Sequence, residues 1–211
     1  MGCQAEKRER DVATRLLDEY RQAGGYADTI PEIGRRLHDS PAVIVVIAQW
    51  LTELEDRWPG PETEGRRLTR LSLTNALNRT ASRETTAIPA LISQFDYSKA
   101  ISPQVRWAAG NVIFRIPAGR KYFEELAAIA ADRRFGTDRQ MVVGWLGKSQ
   151  HPDAAAVAAD QLDDETVQGH ALDALSKMRA QGISELVEPF LTSKFPWYRR
   201  NAARIIHYDQ G

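Results

Sequence analysis

The sequence predicts an all-α protein, an α-α superhelix of about five to six helical hairpins. Three observations lead there: one helical line recurs in phase, strand-like alternation of useful length is absent, and helix start and stop signals fall between the copies. The line opens as Val105-Arg106-Trp107-Ala108-Ala109-Gly110-Asn111-Val112-Ile113 and returns over 138–146, 167–175 and 198–206. Its last residues, Ile113, Leu146, Leu175 and Ile206, stand 33, 29 and 31 residues apart. Periods of this size belong to two-helix units that stack on one another, because one hairpin cannot bury its apolar face alone.

A continuous repeat makes one domain over 1–211 the expected organisation, with a capping helix at 5–25, irregular first repeats over 28–80 and regular repeats over 84–208. In the capping helix Val12, Leu16, Leu17 and Tyr20 fall at helical spacing, and Gly24-Gly25 ends it. Ser40-Pro41 starts the next long helix, expected to run from 42 to about 57: the hydroxyl can accept from free amide groups, and Pro sits where no amide donor is needed. Trp58-Pro59-Gly60-Pro61 breaks the chain, and a polar-faced helix resumes over 62–79. Ile88-Pro89-Ala90-Leu91 echoes Ile30-Pro31-Glu32-Ile33, and Ser102-Pro103 repeats the start signal. Further pairs are expected at 122–131 with 138–148, 153–162 with 165–178, and 183–191 with 197–208. Thr137 and Gln140 have the spacing of a reciprocal capping box. Eleven to thirteen helices are expected in all.

The alternation of an Ile-Pro-x-Leu first helix with a Val-Arg-x-x-Ala-x-x-x-Leu second helix resembles the HEAT-like repeats described in phycobilin lyases and found in small bacterial proteins. The resemblance covers nearly all of 28–208. It implies a curved array whose second helices line a concave face, used mainly for protein binding.

Composition bounds the rest. With 28 basic and 28 acidic residues the net charge is zero, so no global charge argues for nucleic acid or membrane. Cys3 is the single thiol, which excludes an intramolecular disulfide or a cysteine-based zinc site and fits a cytoplasmic location. No apolar run is long enough to cross a bilayer. Met1-Gly2-Cys3 is similar to the start of dually acylated chains, but Glu6 stands where that signal wants Ser or Thr; lipidation of Cys3 is the minor expectation.

In register, each repeat position becomes a column. Ile47, Leu73, Ala109, Val142, Ala171 and Ala202 form one apolar column, and Leu51, Leu77, Ile113, Leu146, Leu175 and Ile206 another; these are core. Arg70, Arg106, Arg139, Gln168 and Arg199 form a third, for which the structural reading, bonds to carboxylates or carbonyls of a neighbouring repeat, outweighs a binding role. Candidate partner-binding residues lie on the remaining stripe. Gln49, Asn75, Asn111, Gly144, Asp173 and Arg204 share one column, and four residues on, along the same face, come Glu53, Arg79, Arg115, Lys148, Lys177 and Tyr208. The selected set is Arg79, Trp107, Asn111, Arg115, Lys148, Asp173, Lys177, Arg200 and Arg204, with Asn201 beside them. It predicts a partly basic surface for a protein with a partly acidic face. The competing explanation is that Lys and Arg are favoured in the last turn of any helix by its dipole.

The search for chemistry predicts no metal, cofactor or catalytic group. His38, His151, His170 and His207 never stand at metal-ligand spacing, and no phosphate loop or nucleophile elbow occurs. Asp163-Asp164-Glu165 reads as a helix start. The expectation is therefore a non-enzymatic interaction module: adaptor, assembly factor, or inhibitor of immunity type. The alternative is a nucleic-acid-binding or DNA-repair relative such as an alkylpurine DNA glycosylase, in which Trp107, Trp145, Trp197, Asp173 and Arg204 would form the site. Against it stand the neutral charge and the core position of Trp145. The final helix, with Trp197, Tyr198, Ile205 and Ile206 and no polar cap after it, suggests self-association through that end.

Overall fold

Pro in the first turn marks where several helices begin, among them Ile30–Ile33, Pro41–Thr52, Pro103–Arg115 and Pro196–Asp209, since a missing amide costs nothing where no partner exists. A computed structural model describes residues 2–35, 40–83 and 85–209. Leu37, His38, Asp39, Glu84 and the side chain of Cys3 lie outside what it describes, and so do the expectations placed on them. The described residues form thirteen α-helices joined by turns and short 3-10 segments, with no strand among them. None of these helices is long and apolar enough to cross a membrane. The chain divides into two compact units, Met1–Ile116 and Pro117–Gly211.

The first unit holds α1 (Gly2–Gln22), α2 (Ile30–Ile33), α3 (Pro41–Thr52), α4 (Leu54–Arg57), α5 (Glu64–Ala76), α6 (Ala87–Ile92) and α7 (Pro103–Arg115). Here α3 packs on α5 and α5 on α7, while α2 lies against α5 and α6 against both α3 and α7. Gly34, just after α2, meets the backbone of Ser72 so closely that a Cβ would come within 3.0 Å of the Ser72 carbonyl oxygen. The helix expected to run to Arg57 breaks at Glu53, whose φ of −99° and ψ of 16° leave the helical region. Ser102 caps α7 by accepting from the Val105 amide at 3.4 Å, whereas Ser40 makes no such bond to α3. Thr63 caps α5 through the Arg66 amide at 3.2 Å, and α5 stops at Ala76 instead of continuing to Arg79.

The second unit holds α8 (Phe123–Ala131), α9 (Gln140–Leu146), α10 (Ala154–Ala159), α11 (Gln168–Met178), α12 (Ser184–Val187) and α13 (Pro196–Asp209). Its hairpins follow one another in order: α8 packs on α9, α10 on α11 and α12 on α13, and the second helices α9, α11 and α13 contact in succession. The capping box at Thr137 does not form. Gly136 takes φ of 48°, Arg133–Arg139 winds as a 3-10 segment, and the Gln140 amide donates to the Thr166 carbonyl at 2.8 Å instead. Tertiary contact to the next hairpin thus replaces the local cap.

The two apolar columns are core: all twelve members are buried except Ile206, which is half-buried while Ile205 turns inward in its place. Burial of such side chains is the main stabilising term, at about 25 cal/mol per Å² of apolar area. Three arginines of the third column are structural. Arg70 is 1% exposed and reaches Glu55 at 2.7 Å, Glu62 at 3.1 Å and Gln94 at 3.1 Å. Arg139, fully buried, bonds to the Ala130 carbonyl, Gln161 and Asp164. Arg106 donates to the Ile101 carbonyl at 2.7 Å. Arg199 differs: it stays exposed and bonds to the Ser193 carbonyl at 2.6 Å. A guanidinium can enter these interiors because several acceptors meet it there; an unpaired buried charge would not be tolerated.

Candidate functional site

Eight of the nine residues selected from the sequence fall into three groups, and Arg79 stands apart. Trp107, Asn111 and Arg115 come together on α7 in the first unit. With Asn75 and Asn78 from the end of α5 they line a hollow of about 310 Å³. Spacing of four along α7 sets all three on one face, and the packing of α5 against α7 supplies the opposite wall. Trp107 is 48% exposed, so much of its indole face is open to solvent. The Asn111 amide group donates to the Trp107 carbonyl at 3.1 Å, which holds its oxygen and second N–H in place for a ligand.

Arg79 departs from the expectation. It is only 8% exposed, because α5 ends before it and the chain turns to extended geometry at this residue, taking it off the helical stripe. It offers no surface cation. Asn201 is likewise buried on α13, although Arg200 and Arg204 on the same helix are exposed.

The second unit gathers Lys148, Asp173 and Lys177. Gly147 is the cause: a Cβ there would stand 2.9 Å from the Ala174 Cα, so α9 and α11 approach closely at this point and the lysines that follow become neighbours. Lys177 is held by Asp173 at 2.6 Å. Burial, and then the charge of Lys177, lower the Lys148 ammonium from its ordinary value, with Asp173 opposing. Like charges brought together in this way favour an anion beside them.

Next to these lysines lies a depression of about 710 Å³, lined by Arg120, Gln150, His151, Lys177 and Met178 among others. Arg120 stands in the turn before α8, Gln150 and His151 between α9 and α10, Lys177 and Met178 at the end of α11. The His151 ring is fixed on two sides. It stacks on Phe123 at 3.6 Å with the planes 8° apart, and its Nδ1 accepts from the Asp153 amide at 3.3 Å. Behind Phe123 stands Trp145, fully buried, with its Nε1 donating to the Ala118 carbonyl at 3.1 Å.

Two backbone positions border this depression from the left-handed region. Gln150 takes φ of 55° and Arg179, between the lining residues Met178 and Ala180, takes φ of 53°. They are 29 residues apart, one repeat, and no other non-glycine residue among those described has positive φ. The Arg179 guanidinium lies over the Tyr208 ring, 5.3 Å from its centre.

No family model, curated protein or solved structure matches the chain. The residues themselves therefore carry the functional argument. Among the described residues no group of His, Cys, Asp and Glu stands close enough to hold a metal ion. Trp145, fully buried, presents no face for a base to stack on, and Asp173 is engaged by Lys177. Arg120, Gln150 and His151 were not selected from the sequence. They lie in turns between the repeated helices, where no periodicity marks them; only the left-handed turn, which brings Gln150 beside the end of α11, makes them part of one site.

Proposed function

We propose that both units are built from HEAT-like hairpins and that the protein is a non-enzymatic interaction module, an adaptor, assembly factor or inhibitor acting in the cytoplasm. The observation that carries this reading is the exposed Trp107 among Asn75, Asn78, Asn111 and Arg115. A large aromatic face supplies contact area at small entropic cost, the amides each offer a donor and an acceptor, and Arg115 favours an acidic group on the partner. This combination suits a protein surface better than a reacting small molecule, since its polar groups are spread along a helix instead of converging on one point.

The test is capture from the native organism with wild type, Trp107→Ala and Arg115→Glu. The expected result is a protein retained by wild type and lost with both variants while their melting temperatures stay within about 2 °C of it. Equal retention by all three overturns the proposal. Salt-sensitive retention of duplex DNA, lost in the same variants, would replace it with the nucleic-acid reading.

A further inference from the structure

We propose that the hollow between α5 and α7 takes an extended peptide segment with one acidic side chain, whose main chain is read by Asn75, Asn78 and Asn111. This gives the partner of the Trp107 surface a form, and so rests on the protein-interaction reading.

The polar groups around the hollow are largely unused. Among the described residues the side-chain amides of Asn75 and Asn78 and the Arg115 guanidinium hold no hydrogen bond or ion pair. Asn111 spends one N–H, on the Trp107 carbonyl at 3.1 Å. Three primary amides therefore border one space, each with a donor and an acceptor to give. A peptide group carries the matching pair, one C=O and one N–H, and an isolated extended segment leaves both free at every residue. A helix spends these groups on its own turns, so its main chain has nothing for the amides except at its ends. Nor does a helix, about 10–12 Å across with its side chains, fit a hollow of about 310 Å³.

Spacing agrees with an extended occupant. Trp107, Asn111 and Arg115 follow one another every four residues along α7, a rise of about 6 Å per step. Alternate residues of an extended chain share one face and stand about 6.7 Å apart. Two steps of α7 thus cover about 12 Å, and four residues of extended chain about 13 Å, a mismatch that the side chains take up. One residue of the segment meets the indole, the fourth one after it meets the guanidinium, and the main chain between them passes the amides. Below it Ala108 and Val112, both buried, make an apolar floor.

Charge fixes what stands at the Arg115 end. None of the described residues lining the hollow is acidic, so the guanidinium selects Asp or Glu there. At the other end the open face of Trp107 suits an aromatic residue, Leu or Pro.

The test uses the full chain against a display library of random nonapeptides, and then the selected sequences as synthetic peptides with acetyl and amide ends. The expected result is enrichment, over the Trp107→Ala chain, of Asp or Glu at one position and of an aromatic residue, Leu or Pro four positions away. N-methylation of a residue between those two anchors should weaken binding about tenfold, because a main-chain donor is lost while every side chain stays. Arg115→Gln should erase the preference for the acid, and Asn111→Ala should weaken all selected peptides alike, with melting temperatures unchanged. No enrichment, enrichment without an acidic position, N-methylated peptides that all bind as the parent, or equal displacement by a single-stranded octanucleotide overturns the proposal. If the library yields nothing while a protein is still captured through Trp107 and Arg115, the partner docks as a folded surface and the extended segment alone falls; failure of both removes the interaction reading as well.

Discussion

Arg139 donates to Gln161 at 2.8 Å, joining the start of one second helix to the end of the next first helix. The glutamine is itself oriented by a bond from its Nε2 to the Val157 carbonyl, four residues earlier, at 3.3 Å. The first unit repeats this joint: Arg70 reaches Gln94 at 3.1 Å, and Gln94 Nε2 donates to the Ala90 carbonyl, also four residues earlier, at 3.0 Å. Removing Arg139 takes away the donor to the Gln161 side-chain oxygen and the cation beside the Asp164 carboxylate. Arg139→Met is expected to cost about 3–5 kcal/mol in urea unfolding, and Asp164→Asn in the same chain should recover part of that. Additive losses would mean the two do not interact.

Acid should act in two stages. Burial lowers the His170 imidazole from its ordinary 6.5, with Asp173 opposing and Lys177 adding to the fall. A depressed histidine stabilises fully above the unfolded value and loses that contribution as pH drops toward the folded one, because the unfolded chain takes up the proton first. Burial would raise Glu55, Glu19 and Asp164, but Arg70 outweighs it at Glu55, Arg15, Trp50 and Arg57 at Glu19, and at Asp164 the hydroxyl and amide of Thr166, then Arg139. Their contribution is present above their ordinary values and goes only as pH falls through the folded ones. Unfolding midpoints should therefore decline from below about pH 6.5 and more steeply below about pH 4.5. In His170→Gln the first decline should flatten while the second persists.

Gln150 occupies a backbone region that costs a side-chain-bearing residue about 1–2 kcal/mol. Gln150→Gly is expected to raise stability by about 0.5–1 kcal/mol, the relief of strain being partly offset by the freer unfolded chain. Differential scanning calorimetry would show this as a higher melting temperature; a lower one would mean that the Gln150 side chain makes bonds worth more than the strain.

Gly147→Ala places a methyl group against the backbone of Ala174, which cannot swing aside as a side chain end would. A loss of about 1–3 kcal/mol is expected. Separation of α9 from α11 should also return Lys148 toward its ordinary titration, which NMR of the lysine side chains can follow. An unchanged Lys148 would show that burial alone governs it.

How much of this was legible in the sequence depends on the kind of residue. Ile47, Leu73, Val142 and Leu175 announce themselves because burial is periodic and so is the helix. Arg70 and Arg139 were recognisable as structural since they recur at one register position. Trp107, Asn111 and Arg115 could be grouped by their spacing of four. Arg79 could not be placed, because whether a helix has stopped three residues earlier is decided by packing. The capping box at Thr137 failed for the same reason: Thr166, distant in sequence, offered Gln140 a bond. His151 and Arg120 were invisible as a pair, since turns carry no period to compare.

The arginine joints also bear on how fast the chain finds its structure. Arg139 meets Gln161 after 22 residues and Arg70 meets Gln94 after 24, while Trp50 finds Glu19 after 31 and the longer reach from Gln94 to Leu51 spans 43. Contacts this local lower the entropy of closure that must be met before native bonds reward it, and they place such chains among the rapid folders. During synthesis each hairpin can lock to its predecessor soon after its own second helix emerges, so little apolar surface waits unprotected for the rest of the polypeptide.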